Sequence, residues 1–375
     1  MMNPAIVVIA YNREKSLNRL LNSINAASFS GLAGSVPLII SIDKSDNSEV
    51  AKVAEGFKWQ YGEKRVVTHD ENLGLKKHVL SCGEYVNEYE GIIVLEDDLY
   101  VAKDFYSYAQ EALSFSESDD RIAGVSLYNH MLNVHAREPF EAIDDGYDNY
   151  YMQFAQSWGQ AYTKKQWSAF SEWMRENDNV DISDPDIPEN VSSWSDKSWL
   201  KYFIKYVIEN DKYFIYPRLS RTTNFGDEGT HAQSADNDLQ VPLACTEMRN
   251  YRFSTLSESH SVYDAFFENK ELEKIAGIDG RITVDLYGYR SEFKSQYLLS
   301  SRSLPYSIVK SFGRNLRPID ANVLNEIEGN DLFIYDTKVA ASAPLVGKAA
   351  RVLYNYRALN VKKMMEVIKF RLLKK

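Results

Sequence analysis

Glu96, Asp97 and Asp98 stand side by side at the end of the apolar run Ile92-Ile93-Val94-Leu95. Two like charges about 4 Å apart repel by roughly 1 kcal/mol in water and roughly 4 kcal/mol at an effective dielectric near 20. Such a triplet at the end of a buried strand is unfavourable unless a cation arrives. Hard divalent cations take carboxylate oxygens, and one or two protein carboxylates plus substrate phosphates complete their shell. The chemistry this suggests is a Mg²⁺ or Mn²⁺ site holding a diphosphate. The same triplet would also read as an acidic loop start or as caps for the following helix. If the strand continues through it, alternation sends Glu96 and Asp98 to one face and Asp97 to the other. Two further groups stand at comparable places: Arg13 follows the run "AIVVIAY", and Asp43 ends "PLIISID".

These residues need elements to bring them together. "AIVVIAY" is apolar without a break, as in a strand covered on both faces. Leu17, Leu20, Leu21 and Ile24 then recur at helical spacing, with Ser16 as the expected N-cap. "PLIISID", "KRVVTHD" and "GIIVLEDD" read as further strands, with helices over Leu75 to Tyr89 and from Phe105 onward. This alternation predicts a doubly wound, mostly parallel α/β sheet. Such sheets bind ligands outside the carboxyl ends of their strands, which is where the polar residues fall. Farther on, "RIAGVSLYNH" reads as a strand. Helices are expected around Trp167, Phe170 and Met174 and over Leu200 to Ile208, with a polar, Pro-interrupted loop between them.

Composition narrows the class. The 375 residues are 44% hydrophobic and 26% charged, as in a water-soluble globular chain with a large core. A net charge of −10 argues against nucleic acid as a partner. The charge is uneven: Lys338 to Lys375 holds ten Lys/Arg and one acid, a net of +9, leaving −19 on the rest. Two distant cysteines, Cys82 and Cys245, form neither a disulfide framework nor a thiolate metal site. The N-terminal apolar run is too short for a signal peptide, and no stretch nears the roughly 18 residues that would span a bilayer. The expected location is cytoplasmic, with the option of a peripheral place on the inner face of the membrane. That option comes from the tail, where Val361, Met364, Met365, Ile368 and Leu372 form an apolar face ringed by lysines. An anionic membrane surface is one partner for such a helix. A solvated or oligomer-packing helix is the other reading.

The blocks "PAIVVIAYNR", "PLIISID" and "IIVLEDDLYVAKDFYSY", in this order, resemble the nucleotide-sugar half of GT-A fold glycosyltransferases. The resemblance is to N-acetylglucosaminyltransferase I and its relatives, whose acidic motif is also an EDD ahead of a DFF-like helix. "YPRLSRTTNFGDEGTH" is similar to that family's RPEISRT…FG…G segment. Together the blocks cover roughly residues 4–235. The resemblance implies a GT-A fold: a Rossmann-like nucleotide-sugar half over 1–120 and an acceptor half over 121–245. Residues 246–375 would be a C-terminal α+β extension ending in the basic helix.

It also implies roles. Asp98 would bind the metal, with Glu96 and Asp97 supporting it or contacting the ribose and sugar. Asp43 would accept a hydrogen bond from uracil, His78 would contact the base, and Arg13 would pair with phosphate. Ser220, Arg221 and Thr222 would donate to the diphosphate, with Gly226 and Gly229 as hinges. His231 would join the metal or the phosphate. Trp158 or Tyr162 would stack on the acceptor sugar. The family's catalytic base lies in a WDDW stretch; here "WSDKSW" leaves Asp196, with two residues before Trp199 where the family has none. Asp196 also reads as an N-cap of the next helix.

The implied activity is inverting, metal-dependent glycosyl transfer from a nucleotide sugar. The expected donor is UDP-linked, UDP-GlcNAc among the candidates, and the acceptor a glycan or lipid-linked glycan of surface polysaccharide synthesis. Two other functions fit less well. A sugar nucleotidyltransferase calls for a Gly-rich loop after the first strand, and "AYNREKSL" has no glycine. A non-catalytic sugar-nucleotide or glycan-binding module would have no need of the whole acidic set.

Overall fold

The computed structural model describes residues 2–29, 34–227, 238–247, 250–345, 348–356 and 360–373. Chain contacts divide it into two compact units. Unit 1 holds Met1–Met131 and Ala142–Phe267, and unit 2 holds Leu132–Glu141 and Glu268–Lys375.

Unit 1 is built on nine strands: β1 (Ala5–Ala10), β2 (Leu38–Ile42), β3 (Lys64–Thr68), β4 (Gly91–Glu96), β6 (Ile122–Ser126), β9 (Asn149–Met152), β10 (Gln160–Thr163), β11 (Tyr213–Pro217) and β13 (Val262–Tyr263). Their order across the sheet is β13-β9-β11-β6-β10-β4-β1-β2-β3. The half β4-β1-β2-β3 is parallel throughout, with Val8 opposite both Ile40 and Leu95. β10 runs antiparallel between β4 and β6, so the sheet is mixed but mostly parallel. β1 and β2 are buried along their whole length, as both-face burial of Val/Ile-rich runs demands.

Six longer helices accompany the sheet: α1 (Glu14–Asn25), α2 (Glu49–Gly56), α3 (Gly74–Gly83), α4 (Phe105–Ser116), α5 (Lys164–Glu176) and α7 (Leu200–Glu209). A single turn, α6, spans Glu189–Ser192. α1 buries Leu17, Leu20, Leu21 and Ile24, the stripe its spacing predicts. Each such side chain is worth roughly 1.5–3 kcal/mol relative to exposure. The helix starts earlier than expected. Its N-cap position is Arg13, and Ser16 sits inside the helix with its hydroxyl on Asp227. α5 opens with a capping box, Thr163 with Gln166. α3 ends against α5, where a Cβ on Gly83 would lie 1.7 Å from the Trp167 ring. Tyr162 is fully buried and packs on Trp167 and Phe203, so it is a core residue and cannot stack on a sugar.

A two-stranded ribbon completes unit 1: β5 (Leu99–Val101) pairs antiparallel with β12 (Thr222–Asn224). Unit 2 contains the short pair β7 (Leu132–Asn133) and β8 (Glu138–Pro139). It also has a four-stranded sheet of β14 (Ile282–Asp285), β15 (Tyr297–Ser300), β17 (Leu332–Ala340) and β16 (Tyr306–Phe312), in that order. Its core is Ile282, Val284, Leu299, Phe312, Leu332 and Ile334. The helices α8 (Ala321–Leu324), α9 (Lys348–Asn355) and α10 (Val361–Leu373) also belong to unit 2. No described helix is long and apolar enough to cross a membrane.

Candidate active site

β4 stops at Glu96, and Asp97 and Asp98 form a turn before β5. Strict alternation therefore does not run through the triplet. Asp97 and Asp98 meet the same partner, Arg13, contrary to the opposite-face expectation. β1 lies beside β4 with Ile9 opposite Glu96, so the chain leaving β1 passes the acidic turn. The Arg13 guanidinium forms an ion pair with Asp97 and a second with Asp98, Nη1 to Oδ2 at 3.1 Å. Burial opposes its charge, but the two carboxylates hold its pKa above the usual arginine value.

The three acids are unequal. Asp97 is buried, and burial pushes its pKa up to about 6 against the pull of Arg13. Glu96 is pushed up to about 8, first by burial and then by the Asp98 and Asp97 charges. A Ser157 hydrogen bond favours its ionised form. Asp97 Oδ2 and Asp98 Oδ1 are buried and have no hydrogen-bond partner. Buried carboxylate oxygens without donors are costly, and a hard cation takes such oxygens. Among the described residues no group of three or more His, Cys, Asp or Glu surrounds a common point. These residues therefore fit a cation held by Asp98 and completed by ligand oxygens, not a closed protein cage.

Asp43 follows β2. Its Oδ1 accepts from the Lys44 and Leu73 amides at 2.9 and 2.8 Å, and its Oδ2 from the Gly74 amide at 3.0 Å. It thus satisfies first-turn amides of α3 across the chain. A carboxylate has about four acceptor sites, so one remains, on Oδ2. His78, on α3, is buried with Nε2 2.8 Å from Ser41 Oγ. Burial pulls its pKa down to about 4, so it is neutral at pH 7. His69 lies on the other side of that hydroxyl, Nε2 3.2 Å away, with its ring 5.1 Å from His78. Sequence reasoning passed over His69, although it directly follows β3 in the block "KRVVTHD".

The second sequence block reaches the acidic turn through the β5–β12 ribbon. Leu99 pairs with Asn224, and the Phe225 amide donates to the Asp98 carbonyl at 2.9 Å. The side chains expected to bind phosphate do not face outward, however. Ser220, Arg221 and Thr222 are all buried. Ser220 Oγ accepts from the Asn129 amide at 2.9 Å and donates to the Thr222 carbonyl at 2.6 Å. Thr222 Oγ1 donates to the Trp158 carbonyl. Arg221 pairs with Asp104 at 3.2 Å and lies over the Tyr108 and Tyr251 rings. The Ser220 and Thr222 hydroxyls are thus spent within the fold, while Arg221 Nε, buried beside Asp104, has no hydrogen-bond partner.

Past the ribbon, Asp227 accepts from Ser16 Oγ at 2.7 Å and pairs with Arg19, which stacks 3.6 Å above the Phe225 ring. That clamp ties the segment after β12 to α1. Its only sequence signal is an acid beside the glycine of "NFGDEG". Gly226 has φ +71°, a left-handed conformation that glycine adopts without strain. Gly229 and His231 lie outside the described residues.

Asp196 is exposed and lies before α7, whose N-cap position is Trp199, so Asp196 does not cap that helix. It accepts from Lys201 Nζ at 2.7 Å, and that bond holds its pKa below the usual carboxylate value. Lys76, on α3, also acts on it electrostatically. Trp158 is half-buried, packed 4.8 Å from the Tyr128 ring.

The family model described as Glycosyl transferase family 2 matches residues 5–164. An Arabidopsis thaliana protein, alpha-1,3-mannosyl-glycoprotein 2-beta-N-acetylglucosaminyltransferase, is 28% identical in an alignment of 240 residues that covers 60% of this chain and 48% of the relative. The chain thus spans about half the length of that relative. Among solved structures, S. aureus TarS 1-349 in complex with UDP-GlcNAc is similar at 16% identity and a TM-score of 0.40, over 63% of this chain and 62% of that one. GalNAc-T7 with UDP, GalNAc and Mn²⁺ is similar at 11% identity and a TM-score of 0.40, over 59% and 43%.

Proposed function

We propose that this chain, whose residues 5–164 form a Glycosyl transferase family 2 domain of GT-A type, is an inverting, metal-dependent glycosyltransferase. The observation that carries the reading is the pair of partnerless buried oxygens, Asp97 Oδ2 and Asp98 Oδ1, beside Arg13 at the strand ends. In this reading residues 1–120 bind the nucleotide sugar, residues 121–245 hold the acceptor, and the appended region is Glu268–Lys375 of unit 2, since β13 still belongs to the sheet of unit 1. Asp98 holds Mn²⁺ or Mg²⁺, which when bound supplies charge neutralisation for a leaving diphosphate. Arg13, beside the acidic turn, would pair with the donor phosphate. The remaining acceptor site of Asp43 takes a uracil N–H, with the neutral imidazole of His78 beside it. Glu96 hydrogen-bonds a hydroxyl of the ribose or the sugar.

The transfer needs a base for the acceptor hydroxyl. Asp196 takes that proton, the oxygen bonds to the anomeric carbon from the face opposite the diphosphate, and the glycosidic C–O bond breaks toward UDP. For Asp196 to act it must leave Lys201, which otherwise keeps it too weak a base.

The donor to test first is UDP-GlcNAc, since the Arabidopsis relative is named an N-acetylglucosaminyltransferase. The proposed acceptor is a glycan or lipid-linked glycan of surface polysaccharide synthesis, met at the inner face of the membrane. The support is α10, where Val361, Met364, Met365, Ile368 and Leu372 are each 44–76% exposed and flanked by Lys362, Lys363 and Lys369. Each lysine near an anionic surface contributes about 1 kcal/mol.

Calorimetric titration with UDP tests the donor site. Binding is expected with Mn²⁺, with a large loss in EDTA and in Asp98→Ala. Equal binding with and without metal, or undiminished transfer by Asp98→Ala, overturns the metal assignment.

A further inference from the structure

Unit 2 holds a buried cation that its own fold does not neutralise. Arg314 follows β16 and is 8% exposed. Its Nη2 donates to the Asp331 carbonyl at 3.1 Å, but its Nε and Nη1 have no hydrogen-bond partner. Burial and the Arg351 guanidinium push its pKa down, with Asp331, Tyr354 and Glu138 acting the other way. Glu138 is already engaged by Arg351, Nε to Oε1 at 2.7 Å and Nη2 to Oε2 at 2.9 Å. Three residues on, half-buried Arg317 lies with its guanidinium carbon 4.2 Å from the Tyr354 ring centroid. The Arg314 guanidinium carbon is 5.9 Å from the same centroid. Tyr354 itself donates to the Leu316 carbonyl at 2.6 Å. Asp320, the other acid near this ring, accepts from Asn269 at 3.3 Å.

A buried guanidinium with two unmatched nitrogens is strongly unfavourable unless an anion meets it. A phosphoryl group offers more acceptor oxygens than a carboxylate and can bridge two guanidiniums, which are weakly hydrated and match its geometry. We propose that Arg314 and Arg317, beside Tyr354, form a phosphoryl-binding site in unit 2, which takes a phosphate ion or a phosphate monoester. It uses none of the residues assigned to the donor site and stands whether or not the glycosyltransferase reading holds.

The test is thermal unfolding of the full chain in sodium phosphate, glycerol 3-phosphate and acetate, each against chloride at matched ionic strength and pH. Phosphate at about ten times its Kd is expected to raise the midpoint by roughly 2–4 °C. Acetate should not. An effect of phosphate without glycerol 3-phosphate identifies the free ion as ligand, and an effect of both identifies a monoester site. Arg314→Met should lose the phosphate shift, and so should Arg317→Ala, which touches a less buried residue and keeps the test available if the first variant does not fold. Arg13→Met, in the other unit, should keep the shift. No shift over chloride, an equal shift with acetate, or a full phosphate shift in Arg317→Ala overturns the proposal.

Discussion

Replacing Arg13 with Met tests the electrostatics of the acidic turn directly. Arg13 is the countercharge to two carboxylates, one of them buried, and its side chain is 25% exposed. At the 3.1 Å of the Asp98 contact, and an effective dielectric near 20, one ion pair is worth roughly 5 kcal/mol before desolvation is counted. Removing one partner of a buried pair costs about 3–5 kcal/mol, and the partial exposure places this pair near 3 kcal/mol. In EDTA, Arg13→Met should therefore unfold in less urea, by about 1 M for an m-value near 3 kcal/mol/M. Mn²⁺ should then recover more stability in the variant than in the parent, because the cation replaces the missing charge. An ion at 100 times its Kd contributes about 2.7 kcal/mol. Tryptophan fluorescence is the assay of choice. All six tryptophans lie in unit 1, so unfolding of unit 2 does not obscure the transition. Equal urea midpoints for variant and parent in EDTA would refute the countercharge role. Equal gains from Mn²⁺ would refute the carboxylates as the ion's ligands.

Glu96→Gln probes the raised acid. Its folded pKa of about 8 lies above the ordinary 4.5, so the folded state keeps the proton longer. That contribution to stability is full below pH 4.5 and is lost as pH rises through 8, with a ceiling of roughly 5 kcal/mol. The Gln variant should be more stable than the parent at pH 9 and flatter in its pH profile; parallel profiles between pH 5 and 9 would remove the assignment. Asp196→Asn should lower kcat by about 10²–10⁴ with little change in donor KM, and an unchanged rate would exclude Asp196 as the base. Deleting the chain from Val361 onward should abolish pelleting with anionic liposomes at low salt, whereas unchanged pelleting would end the membrane reading of α10.

The parallel half of the sheet was legible because its strands are buried on both faces, which makes them unbroken apolar runs such as "AIVVIAY" and "PLIISI". The helical stripe of α1 was legible for the matching reason, one buried face at 3.6-residue spacing. β9 and β10 were harder to read. Their sequences, "NYYM" and "QAYT", are short and mix aromatic with polar residues, and Asn149 and Gln160 are buried in spite of their type. Nothing local announces that β10 inserts antiparallel between β4 and β6, because that choice is made by pairing partners distant in the chain.

The site shows the same division at the level of single groups. The residue types at the strand ends were readable, but their commitments were not, since these depend on which donors the fold delivers to each acceptor. Asp43 and Arg221 illustrate the two outcomes. Asp43 spends three acceptor sites on backbone amides and keeps one, so capping α3 and reading a base are compatible uses of one carboxylate. Arg221, in a motif that reads as phosphate-binding, is buried against Asp104 between two tyrosine rings. Its charge holds in place the ribbon whose far end, at Phe225, hydrogen-bonds the carbonyl of Asp98. A motif residue can thus serve a ligand through backbone it positions. Arg221→Met should accordingly weaken unit 1 by about 3–5 kcal/mol, the cost of stranding Asp104 in the interior. Loss of UDP binding at unchanged stability would instead return Arg221 to direct contact with the donor.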